Sequence, residues 1–196
     1  MPKATSFLAR TLTFAVPISL AATLATAQSD SSTIADELSL GDATPKVGEP
    51  YIQEEFGDWD MRCIKTEDGD DPCQMYQLLN DEQGSPISEF TLFKLPEGGE
   101  ARAGATVVVP LETSLAAQLT IKIDDGVAKR YPFAFCNQVG CYARIGLTEE
   151  DVDNFKQGGK AVLTIVPIVA PDQRVNVDLS LSGFTASYDK VSVIEQ

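Results

Sequence analysis

Four cysteines in two sequence-local pairs constrain this chain more than any other feature. Cys63 and Cys73 enclose the acidic run IKTEDGDDP, and Cys136 and Cys141 enclose NQVG. Each pair can be a disulfide, a redox couple or half of a metal site, and the compartment decides between them.

The start of the chain addresses the compartment. Residues 1–27, MPKATSFLARTLTFAVPISLAATLATA, carry Lys3 and Arg10, no acid and a mostly apolar run from Leu12 to Leu24. They end on Ala25-Thr26-Ala27, so the segment reads as a signal peptide cleaved before Gln28. Pro17 and a run shorter than the roughly 20 apolar residues of a membrane span argue against an anchor. No cysteine follows the cleavage point, which argues against a lipoprotein. The longest later apolar stretch, Ala161–Ala170, is strand-length and interrupted by Pro167. The expectation is a mature protein with no transmembrane span, placed in the periplasm, associated with the outer membrane, or secreted.

In such a compartment an even set of cysteines is read first as a disulfide framework. The four-residue spacer of FCNQVGC is longer than the Cys-x-x-Cys arrangement of redox helices. Gly140 between two β-like runs suits a hairpin staple better, and Asp-Gly together with Pro72 marks a second hairpin loop. The expected pairs are Cys63 with Cys73 and Cys136 with Cys141. A zinc site is disfavoured because spacers of nine and four residues depart from the usual short knuckles. An immunoglobulin-type bridge from Cys63 to Cys141 lacks the Cys, Trp, Cys order, since the lone Trp59 precedes Cys63.

Charge and composition exclude further classes. Without the signal the chain holds 13 basic against 29 acidic residues, a charge near −16, which speaks against nucleic acid as a partner. There is no histidine, so no Ser-His-Asp or Cys-His site and no imidazole metal ligand can form. No Gly-rich phosphate loop or nucleophile elbow is present, and no cofactor is expected. The acidic loop Glu67–Asp71 lacks the ligand ladder of an EF-hand, so it reads as a solvated turn with at most weak calcium affinity. Lys129-Arg130-Tyr131 is a small basic-aromatic spot on an exposed strand edge.

Residues 28–50 are polar and acidic and read as a flexible leader, with a weak amphipathic signal at residues 33–40. Residues 51–196 read as one domain of short strands separated by Gly, Pro and Asp/Asn turns. Strands are predicted near residues 59–65, 74–79, 88–94, 106–109, 118–123, 128–135, 142–145, 161–168 and 174–182. Alternation supports several of them, as in LTIKID, where Leu119, Ile121 and Ile123 share one face. LTEEDVDNFKQGG predicts one short helix capped by Thr148 and ended by Gly158. Trp59, Leu119, Ile121, Phe133, Phe135, Val162, Ile165, Leu179 and Phe184 are the predicted core. The class is an all-β antiparallel sandwich or barrel.

FGDWDMRC (from Phe56), CQMYQ (from Cys73), VPLETSL (from Val109), LTIKID, FCNQVGCYA and LSLSGFTA (from Leu179) together resemble the invasion-associated locus B family of exported bacterial proteins. The likeness runs from about Tyr51 to Val191. It implies an immunoglobulin-like antiparallel β-sandwich, an envelope location and, in some members, a link to host-cell invasion. It supplies no catalytic residue, and only the four cysteines carry over, as structural. The resulting expectation is a non-enzymatic binding or structural module whose partner is an envelope or host-surface protein or glycan. The alternatives are a thiol oxidoreductase using Cys136 and Cys141, a carboxylate hydrolase and a small-ligand carrier.

Overall fold

The computed structural model describes residues 44–194 except residue 82. The expected signal segment, the possible helix at 33–40 and the leader up to residue 43 lie outside the described residues. Two antiparallel sheets make up the domain. The larger has seven strands in the order β1 (Pro50–Phe56), β2 (Trp59–Ile64), β3 (Cys73–Asn80), β4 (Pro86–Lys94), β5 (Ala101–Val109), β9 (Cys141–Thr148), β8 (Phe133–Cys136). The smaller has four, β11 (Val175–Ser180), β10 (Lys160–Ile165), β6 (Leu119–Ile123) and β7 (Lys129–Tyr131). The fold is therefore the antiparallel β-sandwich that the sequence predicts, with two short helices where one was expected.

Alternation builds the core. Met61, Met75, Leu79, Phe90, Leu92, Val107 and Ile145 face inward from the large sheet, and Leu119, Ile121, Leu163, Val177 and Leu179 meet them from the small one. Helix α1 (Glu149–Gln157) starts at a capping box in which Thr148 and Asp151 satisfy each other's backbone donors. It buries Val152 and Phe155. Helix α2 (Phe184–Lys190) adds Phe184 and Tyr188. Trp59 then meets Phe90 and Phe184 edge-on at 5.9 and 5.4 Å, and Phe155 stacks on Phe184 at 5.3 Å. One aromatic cluster thus ties the large sheet to both helices.

Neither disulfide joins the two sheets; side chains do. The Gln77 amide of β3 donates to the Ser180 carbonyl at 3.1 Å and accepts from the Ser180 N–H at 2.8 Å, as a neighbouring strand would. The Trp59 indole donates to the same carbonyl at 2.9 Å. Here two of the sequence blocks meet, FGDW from one end of the domain and LSGF from the other. Gly183 at φ 83 brings its backbone so close to Phe56 that a Cβ would lie 1.9 Å from the Phe56 carbonyl oxygen. Any side chain there would force the two blocks apart.

Several strand predictions differ from what forms. The predicted strand 128–135 divides at Pro132, with β7 closing the small sheet and β8 closing the large one. Proline removes a ladder donor and lets the chain turn between sheets. Pairing slips between Phe133 and Phe135, because Phe133 stands opposite inward-facing Ala143 whereas Phe135 stands opposite outward-facing Tyr142. The one-residue shift flips the face, so Phe135 is 43% exposed and is not a core residue. Phe133 only packs against the core margin. Val162 also leaves the predicted core, since on β10 it alternates against buried Ala161 and Leu163. The other predicted core residues, Trp59, Leu119, Ile121, Ile165, Leu179 and Phe184, are buried. Strand β1 was not predicted at all. Its sequence PYIQEEF has no apolar alternation, and pairing with β2 places it at the sheet edge.

Candidate functional site

The cysteines lie at the ends of hairpins. Cys63 pairs with Cys73 across β2 and β3, and Cys136 with Cys141 across β8 and β9, each as a cross-strand couple with Cα atoms 4.0 Å apart. None of the four is a free thiol. Two disulfides with no thiol left over mark an extracytoplasmic protein.

Inside the first bridged loop, Asp71 organises the acidic turn. Its carboxylate accepts from the Tyr51 hydroxyl at 2.6 Å, from the Thr66 N–H and hydroxyl at 2.7 Å each, and from the Lys65 ammonium at 3.0 Å. The Tyr51 hydroxyl and then the Thr66 donors hold this carboxyl far below the ordinary carboxylate range. The acid run Glu67–Asp71 therefore has a structural role, with its best-placed carboxylate already saturated.

A recess of about 260 Å3 lies between the β6–β7 hairpin and α1, lined among others by Ile121, Lys129, Tyr131, Asp151 and Phe155. Its carboxylates already have donors, Asp124 accepting from the Gly159 and Lys160 N–H groups at 3.0 and 3.1 Å. Lys129 bonds Asp151, whose other oxygen accepts from the Thr148 N–H and hydroxyl. Burial pushes the Asp151 carboxyl up, but the Lys129 and Thr148 donors outweigh it and leave the group below its usual range. The pair caps a helix and leaves little free chemistry for a carried ligand.

The outer face of the seven-stranded sheet is different. Register places Leu78, Glu89, Val108, Tyr142 and Phe135 in one cross-strand row over β3, β4, β5, β9 and β8. Leu78 is 46% exposed, and Phe135 stacks on Tyr142 at 4.6 Å with the Arg144 guanidinium 5.4 Å above it. Beside the row runs a groove of about 540 Å3 formed by Tyr76, Leu78, Ile87, Val108, Pro110 and Val139. Val139, 73% exposed, sits at the tip of the second bridged hairpin. Asn137 shapes that tip by accepting from the Val139 N–H at 2.8 Å. Gly140 is required by close approach, because a Cβ there would come 2.5 Å from the Val109 carbonyl oxygen. Glu89 interrupts the row between Leu78 and half-buried Val108, leaving apolar groups on either side of one carboxylate.

Sequence reasoning read alternation only for the core and missed this row. The signal was present: CQMYQLLN and ATVVV carry large apolar residues on both parities, which a strand with one solvated face does not need. Among the described residues, no helix is long and apolar enough to cross a membrane.

The family model described as Invasion associated locus B (IalB) protein matches residues 59–192, more than half of the chain. Among solved structures, the crystal structure of invasion associated protein b from Bartonella henselae superposes with a TM-score of 0.57 at 19% identity. The match covers 68% of this chain and 90% of that one, and at this identity it speaks to the fold alone. No curated protein matches the sequence.

Proposed function

Because the chain belongs to the invasion associated locus B family, we propose that it is a non-enzymatic binding module of the bacterial envelope that docks a partner protein on the outer face of its seven-stranded sheet. The periplasm or the outer surface is its place of work, and a contribution to host-cell invasion would act through that contact. The carrying observation is the row of Leu78, Glu89, Val108, Tyr142 and Phe135, in which Leu78 and Phe135 are exposed, beside the groove that ends at Val139. Stacked, clamped aromatics lose little freedom on binding, which suits them as anchors.

Two features support a role without turnover. The chain has no histidine, and two carboxylates with largely buried side chains, Asp71 and Asp151, are saturated by internal donors. An oxidoreductase reading needs a thiolate stabilised at a helix start or by a cation, whereas Cys136 and Cys141 end two β-strands.

The test is a photo-crosslinking amino acid placed at Val139 and, as a control, at exposed Thr185 of α2, followed by irradiation of intact cells. A protein adduct at Val139 that is lost on adding Phe135→Ala supports the reading. Equal capture at both positions, or capture indifferent to Phe135, overturns it.

A further inference from the structure

We propose that the outer face of the four-stranded sheet holds a binding site for an acidic saccharide, with Arg130 and Arg174 as its anion clamp. The observations are independent of the apolar row, which belongs to the other sheet, and the two readings stand or fall separately.

The chain as a whole carries a formal charge of −14. Four of its 15 cations nevertheless share one surface. Register and alternation place Lys122, Arg130 and Lys160 on the outer face of the small sheet, with Arg174 just before β11. The carboxylate of this face, Asp178, is engaged by Lys160 at 3.0 Å. Among the described residues, neither Arg130 nor Arg174 forms an ion pair or lies over an aromatic ring. Yet both line one recess of about 240 Å3, and no acidic residue shares its lining.

The remaining lining suits hydroxyl groups. Arg130, Thr120 and Thr164 line the recess in one polar row that continues to Asn176 on β11 beside it, and the Thr164 hydroxyl donates to the Asn176 side-chain oxygen at 2.7 Å. That bond fixes the Asn176 amide and leaves the Thr164 oxygen able to accept. Gln118, with φ 61 just after the 3-10 turn at Leu115–Ala117, closes one side of the recess. Buried Val166 contributes an apolar patch.

Two arginines select an oxyanion, because the planar guanidinium matches carboxylate and phosphate in a bidentate fashion. The volume lies below the roughly 300 to 1,000 Å3 of sites that enclose drug-sized molecules, so it accommodates about one ring. A bare ion would leave the threonine and glutamine groups unused. A phosphate or carboxylate borne on a sugar ring uses both halves of the site. The net negative charge of the protein opposes approach from a distance, but at about 0.15 M salt it is screened beyond about 8 Å, within which the arginines govern.

The test is calorimetry and amide-resolved NMR on the purified protein with four probes: glucose 6-phosphate, galacturonate, glucose and inorganic phosphate. Both acidic sugars are expected to bind, with shifts centred on Thr120, Arg130 and Thr164, while glucose does not bind. Inorganic phosphate is expected to bind about tenfold more weakly than glucose 6-phosphate, since it forgoes the neutral hydrogen bonds. R130Q and R174Q should each weaken the acidic sugars by about tenfold, with an unchanged melting temperature because both residues are exposed. Equal affinity for inorganic phosphate and the acidic sugars would remove the saccharide from the proposal. Saturable binding that survives R130Q/R174Q, or no binding of any probe up to about 10 mM, a free energy near 3 kcal/mol, would overturn it entirely.

Discussion

The two disulfide hairpins have the same covalent design and different surroundings. The Cys63–Cys73 bridge lies between neighbouring inner strands, with both residues buried and the Asp71 hub filling its loop. The Cys136–Cys141 bridge lies at the sheet edge, where Cys136 is exposed and the loop tip projects Val139 into solvent. The same bond is therefore part of the core in one place and a clamp on a surface in the other. Its energetic weight follows what packs on it and its loop length, while its functional weight follows what the loop presents.

The sharpest break of this comparison is removal of the first bridge. Closing its loop restricts the unfolded chain by about 3 kcal/mol in the entropy model, and the buried sulfurs add a packing term. Cys63→Ala with Cys73→Ala should thus cost about 3 to 5 kcal/mol by urea denaturation. Removing the second bridge with Cys136→Ala and Cys141→Ala should cost about 2 kcal/mol, yet should alter capture at Val139, which the first removal leaves intact as long as the protein is folded. Equal losses in the two double variants would mean that burial adds nothing to the first bridge.

The smallest effect concerns Asp71. Its folded-state pKa is depressed, so its stabilising contribution is fully present above the unfolded aspartate value of about 3.9 and is lost as pH falls from there toward the folded value. Thermal melts between neutral pH and about pH 2 should show a steeper acid decline in the parent than in Asp71→Asn. Parallel declines would remove the hub from the account of the first loop.

What was legible in the sequence follows the same division between core and edge. Where neighbouring strands on both sides fix the environment, as at Leu119 and Ile121 of β6, alternation alone located the strand and its inward face. Thr148 and Gly158 bounded α1 because caps are local chemistry. At the edges local chemistry fell short. β1 exists because β2 offers it a pairing partner, and the Phe135 side chain faces outward because of a slip in pairing with β9. Both are decided by tertiary partners. Helix α2 is short, and its FTASYDK carries few apolar residues, so its position depends on the contact at Gly183. Of the candidate contact surface, the bridged hairpin could be read from FCNQVGC, but the row of Leu78, Val108 and Tyr142 becomes a surface only once five strands are in register.

The passage of one chain segment from β7 through Pro132 to β8 has a kinetic consequence. This segment supplies the last strand of both sheets, so neither sheet can be completed before the other is near enough to share it. Its own ladders are local hairpins with β6 and β9, but each of those strands also pairs with a distant one, β6 with β10 and β9 with β5, and such long-range pairings delay assembly. The sandwich should then form and come apart as one unit, without a half-folded state in which one sheet stands alone. A molecule held on either outer face would slow the opening of the opposite face as well, since both are lost in the same event.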